Sequence, residues 1–342
     1  MIDVVTEARG VLLRAVESGI FPAASVDVGD SDGPMWQEGF AASVDTPFDL
    51  ASLTKPIATG SIVMRLVGDG RIGLDDLVAD SFKEWRGADR ERVTVRDLLE
   101  HSSGLSARLV EPPPLGRREF EYEICRMRLE YQPGTQSIYS DLGFILLGFL
   151  CADKGAAPLD TEFRSVAERT GARLMFTPPP PLRAQAAPTT PLPEDLRRGA
   201  TLRGVVHDNY AAALGGVAGH AGLFGSAAAL GVFARVVLRA RRGGGHEAYP
   251  FTPDLVRLFT TRSQVAGSSR ALAWDTMLTT SSCGAHMSAS AFGHVGYTGT
   301  SLWIDPDRNR YFVLLSNHAR GGASRDDLRA VRRAFHDALA EL

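Results

Sequence analysis

Phe48-Asp49-Leu50-Ala51-Ser52-Leu53-Thr54-Lys55-Pro56 sets a hydroxyl and an amine three residues apart at the head of an apolar run. The run continues through Ile62, Val63, Leu66 and Val67 to Gly68-Asp69-Gly70, and so predicts a helix. On a helix that spacing puts Ser52 and Lys55 on one face, within hydrogen-bond reach. Pro56 has no N–H to return to the Ser52 carbonyl, which places the serine at the very start of the helix. There the helix dipole favours a developing anion. Serine is also a common N-cap, so S-x-x-K arises at ordinary helix starts and carries weight only in company.

Two further segments supply that company. Glu130-Tyr131-Gln132-Pro133-Gly134 is turn chemistry, and Tyr139-Ser140-Asp141 then leads into the apolar helix from Phe144 to Leu150. A tyrosine beside a lysine ammonium can share its proton and so serve a serine hydroxyl as general base; the plain alternative is core packing. Phe292-Gly293-His294-Val295-Gly296-Tyr297-Thr298-Gly299-Thr300 is a glycine-interrupted strand whose missing side chains let a substrate approach the backbone.

Around these segments the pattern is mixed α and β. Val5, Ala8, Leu12 and Val16 give an amphipathic helix ending at Gly19. Phe21–Val28 and Met35–Ala42 are strand-like and joined by Gly29-Asp30-Ser31-Asp32-Gly33, a hairpin. That turn also fits the G-x-S-x-G elbow, but no helix follows its serine. Residues 70–285 are mostly helical or loop-like, broken by Pro112-Pro113-Pro114 and by Pro178 to Pro181. Strands return at His294–Thr298, Thr300–Ile304 and Arg310–Ser316. Ser324 and Asp327 then start a last helix with a buried stripe of Leu328, Val331, Phe335 and Leu339. Both chain ends thus feed one layer and the middle forms a helical lobe, with a cleft between them.

Taken together with Thr94-Val95-Arg96-Asp97-Leu98-Leu99-Glu100-His101-Ser102-Ser103-Gly104 and Val206-His207-Asp208 through Gly215-Gly216-Val217-Ala218-Gly219-His220-Ala221-Gly222-Leu223, these segments resemble the class C β-lactamase-like serine hydrolases. The resemblance runs in order along nearly the whole chain. That family includes β-lactamases, D-alanyl-D-alanine carboxypeptidases, D-amino-acid amidases and family VIII carboxylesterases. It implies an α+β, β-lactamase/transpeptidase-like fold: an antiparallel sheet flanked by the terminal helices, plus an inserted helical lobe. It implies one domain over 1–342, with an α/β part of about 1–70 and 285–342 and a helical part of about 71–284. It also implies that Ser52 acylates, that Lys55 and Tyr139 move its proton, and that the backbone N–H groups of Ser52 and Tyr297 form the oxyanion hole. No metal or organic cofactor is implied.

Two departures bear on substrate, through the expected binding positions Asp141, His294 and Gly296. Tyr139-Ser140-Asp141 stands where many relatives carry Tyr-x-Asn, which exchanges an amide donor for an acceptor-only carboxylate. His294-Val295-Gly296 stands where β-lactamases carry Lys-Thr-Gly, exchanging a fixed cation and a hydroxyl for a mostly neutral imidazole and an apolar group. Carboxylate recognition should suffer; the expected activity is cleavage of a small ester or amide through an acyl-Ser52 intermediate, with esterase favoured over β-lactamase activity. β-Lactamase or D-Ala-D-Ala carboxypeptidase activity is the alternative, and a catalytically weak ligand-binding or sensor module is the reading from another class.

Composition narrows the field. The chain has 342 residues, 44% apolar and 23% charged, enough for a full core. A net charge of −3 without a basic stripe disfavours nucleic acid and anionic membranes, and points to a small-molecule partner. The longest apolar stretch, Phe144 to Ala152, falls far short of the ~20 residues of a bilayer span. With no signal-peptide pattern in MIDVVTEARGVLL, the expected location is the cytoplasm. Cys125, Cys151 and Cys283 are three and widely spaced, which suggests neither disulfides nor zinc. His207, Asp208 and His220 have no compact metal spacing and are expected to order loops; His101 is expected to be structural.

Overall fold

Alternating apolar residues make the sheet two-faced, and the computed structural model shows what covers each face. It describes residues 2–109, 111–244, 250–321 and 323–342. In chain order the strands are β1 (Ala24–Gly29), β2 (Pro34–Phe40), β3 (Phe48–Asp49), β4 (Met175–Phe176), β5 (Leu223–Gly225), β6 (Asp275–Thr276), β7 (Phe292–Val295), β8 (Ser301–Asp305) and β9 (Arg310–Ser316). Six of them form an antiparallel sheet in the order β2-β1-β9-β8-β7-β6.

Along β9, Phe312 and Leu314 point to the terminal helices, Ile2–Glu17 and Arg325–Ala338, where they join Leu12, Phe21 and Phe335. Tyr311, Val313 and Leu315 point the other way, into the larger core shared with the helical region. This is the period-2 alternation of a strand covered on both faces. The last helix starts as expected, with Ser324 and Asp327 in a reciprocal capping box. Its stripe of Leu328, Val331, Phe335 and Leu339 is buried. Burial contributes about 1.5–3 kcal/mol for each large side chain, against roughly 1 kcal/mol for a cap. Packing therefore fixes where the helix lies, and the cap fixes only where it begins.

The hairpin turn after β1 is closed by Asp30, whose Oδ1 accepts the N–H groups of Asp32 and Gly33 at 2.8 and 3.2 Å. The expected strands differ from the observed ones in two respects. The strand expected over 294–298 lies at Phe292–Val295, and residues 296–300 form a turn closed by the Gly296 N–H on the Thr300 carbonyl at 2.8 Å. The sheet also takes its outermost strand, β6, from residues that read as helical or loop-like. A second, three-stranded sheet, β3-β5-β4, has no counterpart in the sequence reading. Strands of two or three residues are too short to show a period.

That small sheet ties the segment leading into Ser52 to β5, and the 296–300 turn closes on it from the other side. The Thr298 and Thr300 hydroxyls donate to the carbonyls of Asp49 and Leu50 at 2.7 and 3.0 Å. A Cβ on Gly296 would stand 2.1 Å from Thr300 Oγ1 and 2.6 Å from the Leu50 carbonyl oxygen. Gly296→Ala is therefore expected to lower the unfolding free energy by about 1–3 kcal/mol in urea titration. An unchanged midpoint would mean that the two segments do not meet this closely in solution.

Candidate active site

Ser52 sits where three helical windings succeed one another: a 3₁₀ turn (Ala51–Leu53), a π turn (Lys55–Gly60) and an α-helix (Ser61–Gly68). A single helix was expected from Ser52 onward. Pro56 explains the difference, because it cannot supply the i→i−4 bond to the Ser52 carbonyl; the Thr54 N–H turns to the Ala51 and Ser52 carbonyls instead. π windings of this kind concentrate at functional sites.

Ala51, directly before the serine, has φ +48°, a left-handed conformation that costs a non-glycine residue about 1–2 kcal/mol. Buried Asp49 holds it there, accepting the N–H groups of Ala51 and His207 at 2.8 and 2.6 Å. Burial, partly offset by those two donors, raises the Asp49 carboxyl to about 6.

The Lys55 side chain is 0% exposed, so its ammonium must find all its partners inside the protein. It has three: Asp141 Oδ1 at 2.7 Å, the His220 carbonyl at 3.2 Å and Ser52 Oγ at 3.3 Å. An ammonium has three N–H donors, so none is left over. Burial pulls the Lys55 pKa down, but Asp141 and Tyr139 outweigh it and the net displacement is upward. Burial pushes Asp141 up, and Lys55 and His220 outweigh that in turn, so its carboxyl lies below the ordinary range. Both directions describe one charged pair.

Asp141 is held from its other side by Arg108, at 3.0 Å from Oδ2. Arg108 also donates to Asp208 at 2.9 Å, and Asp208 accepts from His220 Nε2 at 2.8 Å. The His220 carbonyl returns to Lys55, which closes a ring of polar contacts. Burial would raise Asp208, but His220 and Arg108 hold it well below the ordinary carboxylate range. Asp208 and His220 thus order the loops around the site, and Arg108, absent from the sequence reading, joins them to Asp141. Arg108 sits in an irregular segment with no motif to mark it.

Tyr139 precedes the N-cap residue Ser140 of the helix Asp141–Gly155, which brings its ring within 4.7 Å of Lys55 Nζ. Three more groups crowd that ring: His101 at 4.6 Å, Arg270 at 5.1 Å and His294 at 5.9 Å, measured to the ring centroid. His101 Nδ1 accepts the Ser140 N–H at 3.0 Å, so it braces the residue after Tyr139. Burial first, then the charges of Arg270 and Lys55, hold the His101 and His294 imidazoles well below their ordinary pKa. Both are therefore neutral at pH 7. His294 is only 2% exposed, and its Nδ1 is engaged with the Val295 carbonyl at 2.8 Å. Its ring lies beside that of Tyr139, and its Nε2 is buried without a hydrogen-bond partner. Arg270 lies in a stretch, Thr261 to Arg270, whose sequence carries no periodic signal.

Gly296 and Tyr297 lie against the Ser52 turn through the contacts described above. The Tyr297 ring stacks on His207, with centroids 5.2 Å apart, and Arg325 covers it at 3.3 Å. A surface cavity of about 1510 Å³ beside the helix Gly116–Arg126 reaches this site at Arg108. Cys125, Cys151 and Cys283 are free thiols buried away from these contacts.

The Beta-lactamase family model matches residues 9–336. A "Putative D-alanyl-D-alanine carboxypeptidase" of Escherichia coli K12 is 31% identical over 316 residues, 83% of this chain and 71% of that protein. Its namesake from Salmonella paratyphi B is 32% identical over 312 residues, covering 81% and 70%. Among solved structures, EstCE1, a hydrolase with promiscuous acyltransferase activity, superposes with TM-score 0.77 at 19% identity, covering 99% of this chain and 98% of the other. A penicillin-binding protein homologue from Caulobacter crescentus gives TM-score 0.75 at 21% identity, with 98% of both chains covered. The fold is that of the β-lactamase/transpeptidase group, and the chain is a serine hydrolase belonging to the beta-lactamase family.

Proposed function

We propose that the chain cleaves small esters through an acyl-Ser52 intermediate. The observation that carries this reading is the fully engaged Lys55 ammonium, which donates to Ser52 Oγ while Asp141 and the His220 carbonyl take its other protons. A lysine so held is a fixed cation rather than a proton acceptor. Tyr139, beside Lys55 Nζ, is then the base. Ser52 Oγ attacks the ester carbonyl and its proton passes to Tyr139 Oη, which enters the step as the phenolate. The tetrahedral anion is met by the backbone N–H groups of Ser52 and Tyr297. On collapse the C–O bond to the leaving group breaks, and the alkoxide takes the proton from Tyr139. Water then attacks the acyl-enzyme with Tyr139 again as base, releasing the acid and restoring Ser52.

Esters are favoured over β-lactams because the segment that would meet a substrate carboxylate presents neither a cation nor a hydroxyl. His294 is neutral and buried, and Val295 is apolar. Each missing charge-assisted bond weakens binding by about 1.5–3 kcal/mol. A second reading, D-alanyl peptidase, draws on the names of the relatives and on Arg270. That guanidinium stands over Tyr139 with its side chain 22% exposed, and its ion pair with Asp275 is loose at 3.8 Å. On the second reading, Arg270→Ala lowers kcat/KM for a D-Ala-D-Ala peptide and spares an ester.

Fluorophosphonate treatment with intact-mass analysis should add one label to the wild type and none to Ser52→Ala, and p-nitrophenyl butyrate should be hydrolysed with higher kcat/KM than nitrocefin. Higher efficiency on nitrocefin would end the ester preference, and a label that survives in Ser52→Ala would end the assignment of the nucleophile. Tyr139→Phe should lose about 10²–10⁴-fold in kcat with KM little changed.

Removing one partner of the buried pair, in Asp141→Ala, should cost about 3–5 kcal/mol in urea unfolding at pH 7. Asp141 has a lowered pKa, so its contribution is present above 3.8 and lost as pH falls through the lowered value. Lys55 has a raised one, so its contribution is present below 10.5 and lost only as pH rises through the raised value. The effect of the substitution should therefore be constant between those limits. A loss below about 1 kcal/mol would match an exposed pair and contradict the buried one.

A further inference from the structure

Gly296 and Tyr297 share a peptide unit that is gripped from behind by the last helix. Arg332, 6% exposed, donates through Nη2 to the Gly296 carbonyl at 2.9 Å and to the Thr300 carbonyl at 2.8 Å. The Gly299 N–H adds a second bond to the Gly296 oxygen, at 3.2 Å. A trans peptide is planar, with its C=O and N–H pointing in opposite directions. Fixing the Gly296 oxygen toward Arg332 therefore aims the Tyr297 N–H away from the last helix. The Ser52 turn flanks the same residue, with Leu50 O and Ala51 Cβ at 2.6 and 3.3 Å from the position of a Cβ on Gly296. The next carbonyl, that of Tyr297, is also tied back, by Arg325 at 2.9 Å.

Stability alone does not call for an arginine here. Among the described residues no carboxylate forms an ion pair with Arg332, and its Nε has no partner. Burial, then the charge of Arg325, draws its guanidinium down to about 9. An apolar side chain of similar volume would carry no such cost. On the role proposed for Tyr297, the cation lies behind the peptide whose N–H meets the developing oxyanion, where a fixed dipole acts without reorganisation.

We infer that Arg332 is a positioning residue for the oxyanion hole, locking the Gly296–Tyr297 peptide plane and polarising the Tyr297 N–H toward the carbonyl oxygen of an ester on Ser52. This rests on the role proposed above for Tyr297. Arg332→Met and Arg332→Lys are compared with wild type for p-nitrophenyl butyrate turnover, for inhibition by phenylboronic acid, which forms a tetrahedral adduct on serine, and for thermal unfolding. Arg332→Met should lose about 10²-fold in kcat, as for removal of one oxyanion donor, with KM within about threefold of wild type. Phenylboronic acid should bind it correspondingly more weakly, and Arg332→Lys, which keeps the charge, should recover part of both losses. A folded variant with kcat within about threefold of wild type, or with unchanged boronate affinity, overturns the inference. Should Arg332→Met not fold, Arg332→Lys decides on the same criteria. A wild-type fluorophosphonate adduct on Ser52 alongside unaffected Arg332 variants sinks the inference alone; an adduct elsewhere sinks the underlying mechanism.

Discussion

A lysine ammonium shut away from water is the constraint around which this molecule is arranged. Lys55 can stay charged only if its three protons are accepted and its charge is balanced, and Asp141 balances the charge while accepting one of the protons. Asp141 needs its own partner, Arg108; Arg108 needs Asp208, Asp208 accepts from His220, and the His220 carbonyl returns to Lys55. The ring's members come from four separate segments of the chain, so the ring also fixes how those segments meet. A half-satisfied version would be worse than none, because each remaining charge would be buried without a partner.

The other half of the site is built from backbone. Threonine hydroxyls from the 296–300 turn reach the carbonyls before Ser52, while Asp49 holds Ala51 in its left-handed conformation. The nucleophile turn is thus clamped between the small sheet and the edge of the β7–β8 connection. Glycine at 296 is what allows the two backbones to approach. The last helix, which looks like mere cover for the large sheet, also reaches the site: Arg325 and Arg332 hold the carbonyls of that turn from the far side.

How much of this was legible in the sequence depends on how local each feature is. The hairpin, β8 and β9, the capping box at Ser324 and the Ser52–Lys55 spacing are written in neighbouring residues, and the structure contains them all. The strands β3, β4 and β5 were invisible because two or three residues show no alternation. Asp141 was legible as a departure from Tyr-x-Asn, yet its partnership with Lys55, 86 residues away, was not. Arg108 and Arg270 come from segments without periodicity, and their places are set by the charges they answer rather than by any local pattern. His101 carried a recognisable motif, but only the fold brings its ring to Tyr139 and its Nδ1 to the Ser140 N–H. His294 drew attention as a replaced cation, and its burial follows from its place in a strand covered on both faces.

The central claim is that an ester carbon bonds to Ser52 while Lys55 remains paired with Asp141 and the anion is met by backbone N–H groups. A crystal structure of the enzyme trapped with a slowly hydrolysed ester tests all three parts at once. The account predicts density continuous from Ser52 Oγ to the acyl carbon, the carbonyl oxygen about 3 Å from the nitrogens of Ser52 and Tyr297, and Lys55 still against Asp141. An acyl group on another residue, or a carbonyl oxygen turned away from Tyr297 with Lys55 released from Asp141, would contradict it.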